Sequence, residues 1–249
     1  MKVITREQFL QVYTSDPAAA PGRIEAILEA VRAEFPWEER GYPAGYEDLA
    51  AVHTKPHVQR VIREGLYNIA ALAAGTAIEA ALIGMAEPCF AVIRPPGHHA
   101  SADSSWGFCY FNNMAVALEH LKRAGLIQTA YVLDFDLHYG DGTVSILRDK
   151  GYVAIHNPEA DDRQTYLQEV RTHLAAATVD IIGVSAGFDN HMQDWGGLLS
   201  TEDYRTIGGM VREACQRLNI GCFALLEGGY NHRVLGQNVL AFLRGVNGT

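Results

Sequence analysis

The sequence predicts an open, mainly parallel α/β sheet flanked by helices, a three-layer α/β/α architecture. Three observations carry this expectation. Short apolar runs alternate with longer segments of helical period, a pattern that calls for right-handed crossovers and parallel pairing. The length, 249 residues, suits one α/β domain and supplies enough apolar sequence for a large core. Several of the apolar runs pass straight into polar, glycine-containing clusters, as strands do where they open onto a ligand crevice.

In chain order, the first helix is expected behind Pro21-Gly22, where Ile24, Ile27, Leu28, Val31 and Phe35 share one face. A helical region from about 56 to 85 is rich in alanine and should pack closely against a neighbour. Further helices are expected near 112–124, 142–149, 162–177, 201–218 and 232–245. Strands are expected at 89–93, 130–133, 152–155, 179–184 and 222–226. No composition shift, repeat or low-complexity stretch divides the chain, so residues 1–249 read as one domain.

Twenty basic and 29 acidic side chains give a formal charge of −9. That balance argues against a nucleic-acid partner held by phosphate contacts. No apolar run reaches the ~20 residues a membrane-spanning helix needs. Met1-Lys2-Val3-Ile4-Thr5-Arg6-Glu7 lacks the apolar stretch of a secretory signal. The expected location is the cytoplasm, without a membrane. Cys89, Cys109, Cys215 and Cys222 show no CxxC spacing, so they read as reduced, packed thiols rather than a structural zinc site.

Four strand ends carry the chemistry. They lead into Arg94-Pro95-Pro96-Gly97-His98-His99, Asp134-Phe135-Asp136-Leu137-His138-Tyr139-Gly140-Asp141, Ser185-Ala186-Gly187-Phe188-Asp189-Asn190-His191 and Glu227-Gly228-Gly229-Tyr230-Asn231. In a parallel sheet all four gather on one edge. Asp134, Asp136 and His138 alternate, so in extended chain they point to one side. Two carboxylates and an imidazole at a buried strand end are costly to desolvate without a cation. Asp136 and His138, with Asp189 as third ligand, would give the three-ligand, open-position geometry of a catalytic zinc. Alone, the Asp-x-Asp-x-His spacing leaves calcium, manganese or a hydrogen-bonded cluster open.

A single histidine near a core is commonly structural. The tandem His98-His99 lies opposite surplus carboxylates, Asp134 and Asp141, and reads as a pair of proton handlers, each imidazole held in one tautomer. Tyr230 follows two glycines and reads either as a hydrophobic plug or as a phenol donating to an oxyanion.

These residues resemble the signature blocks of the histone deacetylase superfamily, which includes acetylpolyamine amidohydrolases and acetoin-utilisation proteins. The blocks are 94–100, Gly107-Phe108-Cys109-Tyr110-Phe111-Asn112-Asn113, 134–143, 185–191 with Gly196-Gly197-Leu198, and 226–231. They stand in the family's order, and Ser-Ala-Gly-Phe-Asp with His191 resembles the class II and bacterial branch. The resemblance implies the arginase/deacetylase fold and one zinc held by Asp136, His138 and Asp189. It implies His99 as general base oriented by Asp141, His98 as electrostatic support paired with Asp134, and Tyr230 as the group that polarises the acyl carbonyl. Phe108 would wall the substrate channel with Gly107 beside it. The implied activity is removal of an acetyl or similar small acyl group from an amine, whether acyl-lysine or a small molecule.

Three departures bear on substrate. The acidic rim loop of the family shrinks to Glu64-Gly65-Leu66-Tyr67, and the glycine-rich aromatic loop after residues 152–156 shrinks to Asn157-Pro158-Glu159-Ala160. The serine that helps hold a structural potassium in the family corresponds to Ala154, which places that ion in doubt. A shallow cleft for a wider amide, or a neighbouring subunit covering the opening in a homo-oligomer, would each answer the missing rim. Competing readings are an amidohydrolase of a small metabolite or polyamine and a catalytically silent scaffold; intact His99 and Tyr230 count against silence.

Overall fold

The computed structural model describes residues 1–249. Seven strands form one sheet: β1 (Lys2–Thr5), β2 (Trp37–Glu39), β3 (Cys89–Ala91), β4 (Ala130–Asp134), β5 (Val153–His156), β6 (Ile181–Ala186) and β7 (Gly221–Leu226). Their order is β2-β1-β3-β7-β6-β4-β5, and every pairing is parallel. The five expected strands are all present. Strands β1 and β2 add an edge that the sequence does not announce. Each is four residues or fewer, too short for a periodic signal, and pairing with β3 is what makes β1 a strand.

Nine α-helices cover the two faces: α1 (Arg23–Val31), α2 (Tyr46–Ala50), α3 (Lys55–Arg63), α4 (Tyr67–Gly84), α5 (Asn113–Arg123), α6 (Asp141–Leu147), α7 (Arg163–Ala176), α8 (Thr201–Leu218) and α9 (His232–Asn247). The continuous helical region expected at 56–85 is two helices, because Gly65 takes a left-handed φ of 75° between α3 and α4. The Thr54 side chain caps α3 by accepting from His57 N.

Alternation along the strands builds two cores. On β4, Ala130 and Val132 join the core formed with α4 and α5, while Tyr131 and Leu133 join the core formed with α7, α8 and α9. The alanines of α4 allow the close packing that its composition implies. Of its 18 residues 12 are buried, so a helix long and apolar enough to cross a membrane serves here as a core helix. Glycine 183 on β6 leaves room for Met114 of α5, whose sulfur a Cβ there would crowd.

Strands β3, β7, β6 and β4 are consecutive in the sheet. The four polar clusters singled out in the sequence therefore emerge side by side from one edge, in the crevice beyond the strand ends.

Candidate functional site

Two carboxylates and an imidazole form the centre. His138 Nδ1 lies 3.2 Å from Asp136 Oδ1 and 3.1 Å from Asp189 Oδ2, and the three ligand atoms all fall within 4.8 Å of one another. The backbone fixes the outer oxygens: Gly228 N donates to Asp136 Oδ2 at 2.8 Å, and Leu137 N donates to Asp189 Oδ1 at 3.0 Å. Asp189 Oδ2 is buried and His138 Nδ1 is the polar group beside it; two buried carboxylates converging on one imidazole are costly unless positive charge joins them. Hydrogen bonds to Asp136 and Asp189 raise His138 to about 10. The cluster thus draws in positive charge, and a metal ion would take that proton's place. Glycine is required on both sides, because a Cβ at Gly187 or Gly228 would overlap the Asp136 carboxylate. The donor set fits a divalent cation such as zinc.

Beside it stand the tandem histidines, rings 4.0 Å apart. His98 Nδ1 meets Asp134 Oδ2 at 3.1 Å, and its Nε2 lies 3.8 Å from Asp136 Oδ1. Burial alone would lower His98, but Asp134 and Asp136 hold it well above the ordinary histidine range. His99 Nδ1 meets Asp141 Oδ1 at 2.7 Å. Burial and the neighbouring His98 charge outweigh that contact and bring His99 down to about 4. The His99 ring lies edge to face with His138 at 5.9 Å.

Tyr230 completes the ring of groups. Burial, with the nearby Asp136 and Asp189 charges, raises its phenol, which stays protonated and able to donate. Asp194 accepts from both Tyr230 N and Asn231 N at 2.8 Å, and Arg23 binds the carbonyls of Gly229 and Glu227. Phe108 stands edge-on to Tyr230 at 5.9 Å. Gly107 has φ 57° and no room for a Cβ against His99, so it must be glycine.

Asp134, Asp136, His138, Asp141, Asp189, His98, His99, Tyr230, Phe108 and Gly107 lie together in this one constellation. Four contributors were missed. Trp195 stacks on Tyr230 at 4.1 Å and meets His138 edge-on at 6.0 Å. Trp106 stacks on His99 at 3.8 Å and donates to Asp141. Asp194 orients the Tyr230 backbone, and buried Glu227 accepts from Gly97 N and His98 N. Two of the chain's three tryptophans flank the site, each more than half exposed. A large aromatic beside a glycine-rich motif was the signal available in the sequence.

Residues 60–166 and 152–246 match the family model for the histone deacetylase domain. The chain belongs to the histone deacetylase family. A probable deacetylase of Methanothermobacter thermautotrophicus is 31% identical, with 91% of this chain and 85% of that protein aligned. An acetylpolyamine amidohydrolase of Mycoplana ramosa is 28% identical over 94% of this chain and 87% of its own length. The crystal structure of the HDA15 HD domain superposes with a TM-score of 0.86 over 99% of this chain and 90% of that one. At 22% identity that likeness establishes the arginase/deacetylase fold, which this member of the deacetylase family builds with an all-parallel sheet.

Proposed function

We propose that this histone deacetylase family member is a zinc-dependent amide hydrolase that removes an acetyl or similar small acyl group from an amine. The observation that carries the reading is the convergence of the buried Asp136 and Asp189 carboxylates with His138, ligand atoms within 4.8 Å of one another, beside a histidine–carboxylate pair. Asp136, His138 and Asp189 would hold one zinc per chain, which when bound supplies a Lewis acid for the acyl carbonyl and for the attacking water.

The chain's own residues do the rest. Asp141 accepts from His99 Nδ1 and leaves Nε2 as the basic nitrogen. With His99 at about 4, that nitrogen is free of a proton at neutral pH. It takes a proton from the water as the water adds to the carbonyl, then passes it to the departing amine. His98, kept protonated by Asp134 and Asp136, stabilises negative charge accumulating nearby. Tyr230 donates its phenol proton to the oxyanion. Phe108 and Trp195 form aromatic walls for the substrate, with Gly107 giving the acyl group room beside His99. Residues 1–249 act as one catalytic domain, working in the cytoplasm.

The amine is better satisfied by a wide or non-peptide compound than by a linear acetyl-lysine peptide. The short 64–67 and 157–160 segments leave little chain to grip a linear acetyl-lysine stem. The similarity to an acetylpolyamine amidohydrolase favours the same direction. The test is a panel of acetyl-lysine peptides, acetylpolyamines and small N-acetyl metabolites on the zinc-loaded protein. No hydrolysis of any acylated amine, with zinc bound, would support the scaffold reading instead.

A further inference from the structure

Trp106 touches two members of the site at once. Its indole Nε1 donates to Asp141 Oδ2 at 2.9 Å, while the other oxygen of that carboxylate meets His99 Nδ1 at 2.7 Å. Its ring lies on the His99 ring, centroids 3.8 Å apart and planes 30° from parallel. We infer that Trp106 is a positioning residue for the proton-transfer pair: it clamps the Asp141 carboxylate at the oxygen that His99 does not use and covers one face of the imidazole. This inference rests on the reading of His99 as general base.

The need for a clamp follows from exposure. The Asp141 side chain is 49% exposed, so an unrestrained carboxylate there would rotate and take water in place of one partner. A donor on its second oxygen removes that freedom, and a hydrogen bond to a charged acceptor is among the stronger kinds. Trp106 is itself 55% exposed. Core packing does not account for a large ring left in solvent, whereas the two contacts do.

The backbone is shaped to deliver them. Gly107 and Phe108 both take left-handed φ values, 57° and 66°. For phenylalanine that conformation is unfavourable and is characteristic of functional sites. The turn sends Trp106 onto His99 and, two residues later, Phe108 toward Tyr230. Without a side chain at Gly107, whose Cβ would strike His99 Cδ2, the two rings approach within stacking distance.

The test is a double-mutant cycle on the zinc-loaded enzyme. Trp106→Phe keeps a ring over His99 and removes the N–H. It should lower kcat about tenfold, as expected for one charge-assisted hydrogen bond, with KM within about twofold. In an Asp141→Ala background the same substitution should cost almost nothing, because its acceptor is gone. Trp106→Ala, which also removes the stacking ring, should lose more than Trp106→Phe. Melting temperature and bound zinc, measured on each variant, report whether fold and metal survive. A rise in KM with kcat unchanged, or losses that multiply in the double variant, would show Trp106 to be a substrate wall only. His99→Ala with normal turnover would instead overturn the general-base reading, an outcome read from that single variant.

Discussion

His98 and His99 are neighbours in the chain, with rings 4.0 Å apart, yet they titrate in opposite directions. Asp134 and Asp136 hold His98 well up, while burial and the His98 charge push His99 down to about 4. One ring is a fixed positive charge at neutral pH and the other a free base. Divergent environments for two chemically identical groups are how a site divides acid and base roles.

The first prediction follows from that division. His99→Ala should lower kcat by roughly 10²–10⁴, the usual worth of a positioned general base. Tyr230→Phe should lower it by on the order of 10²–10³ through loss of one oxyanion donor. Both variants should keep zinc and a normal melting temperature, since neither residue belongs to the metal-binding triad. Near-normal turnover by both would rule the mechanism out.

Metal binding can be separated from catalysis. Elemental analysis should find about one zinc per chain in the native protein, and a chelator should abolish hydrolysis. Asp189→Ala should lose the metal. Gly187→Ala should weaken binding by at least about tenfold with all three ligands intact, because its Cβ would overlap the Asp136 carboxylate. Full zinc occupancy in the Asp136→Ala/Asp189→Ala double variant would refute the assignment.

Substrate preference is the next outcome to measure. The kcat/KM for a short acetyl-lysine peptide should fall below that for a wider or non-peptide acylated amine. Trp195→Ala should raise KM several-fold for the preferred substrate, since walls contribute binding held in common by ground and transition states. Efficient turnover of acetyl-lysine peptides by a strictly monomeric protein would show that the shortened loops do not matter.

Stability should decline in acid. Buried His53 hydrogen-bonds Ser101 O through Nδ1 and accepts from Asn112 N, each at 2.9 Å. Burial and the neighbouring His57 lower it to about 3. Its folded pKa lies below the unfolded value of about 6.5, so the unfolded chain binds more protons between those limits. The stabilisation is complete above pH 6.5 and is lost as pH falls toward 3. Going from pH 7 to pH 5, His53 alone should remove about 2 kcal/mol. Urea titrations at the two pH values measure this, and His53→Gln should flatten the difference. The same pH dependence in the native protein and in His53→Gln would mean that His53 is already charged in the folded protein.

The alternation of strands and helices, the parallel sheet and the polar strand ends can all be read from residue order. Period and composition are local properties, and each apolar run led directly into its cluster. Asp136, His138 and Asp189 were legible because alternate residues of a strand share a face and because carboxylates at a buried strand end need a partner. Strands β1 and β2 were not legible, since four residues or fewer carry no period and only pairing defines them. The break between α3 and α4 was decided by the left-handed Gly65. Tertiary structure alone brought Trp195 onto Tyr230 and Trp106 onto His99 and Asp141, contacts across 35 residues in each case for Tyr230–Trp195 and Asp141–Trp106. It also set His98 and His99 apart electrostatically, because burial and the charges that surround a ring depend on which strands lie side by side, not on which residues are adjacent in the chain.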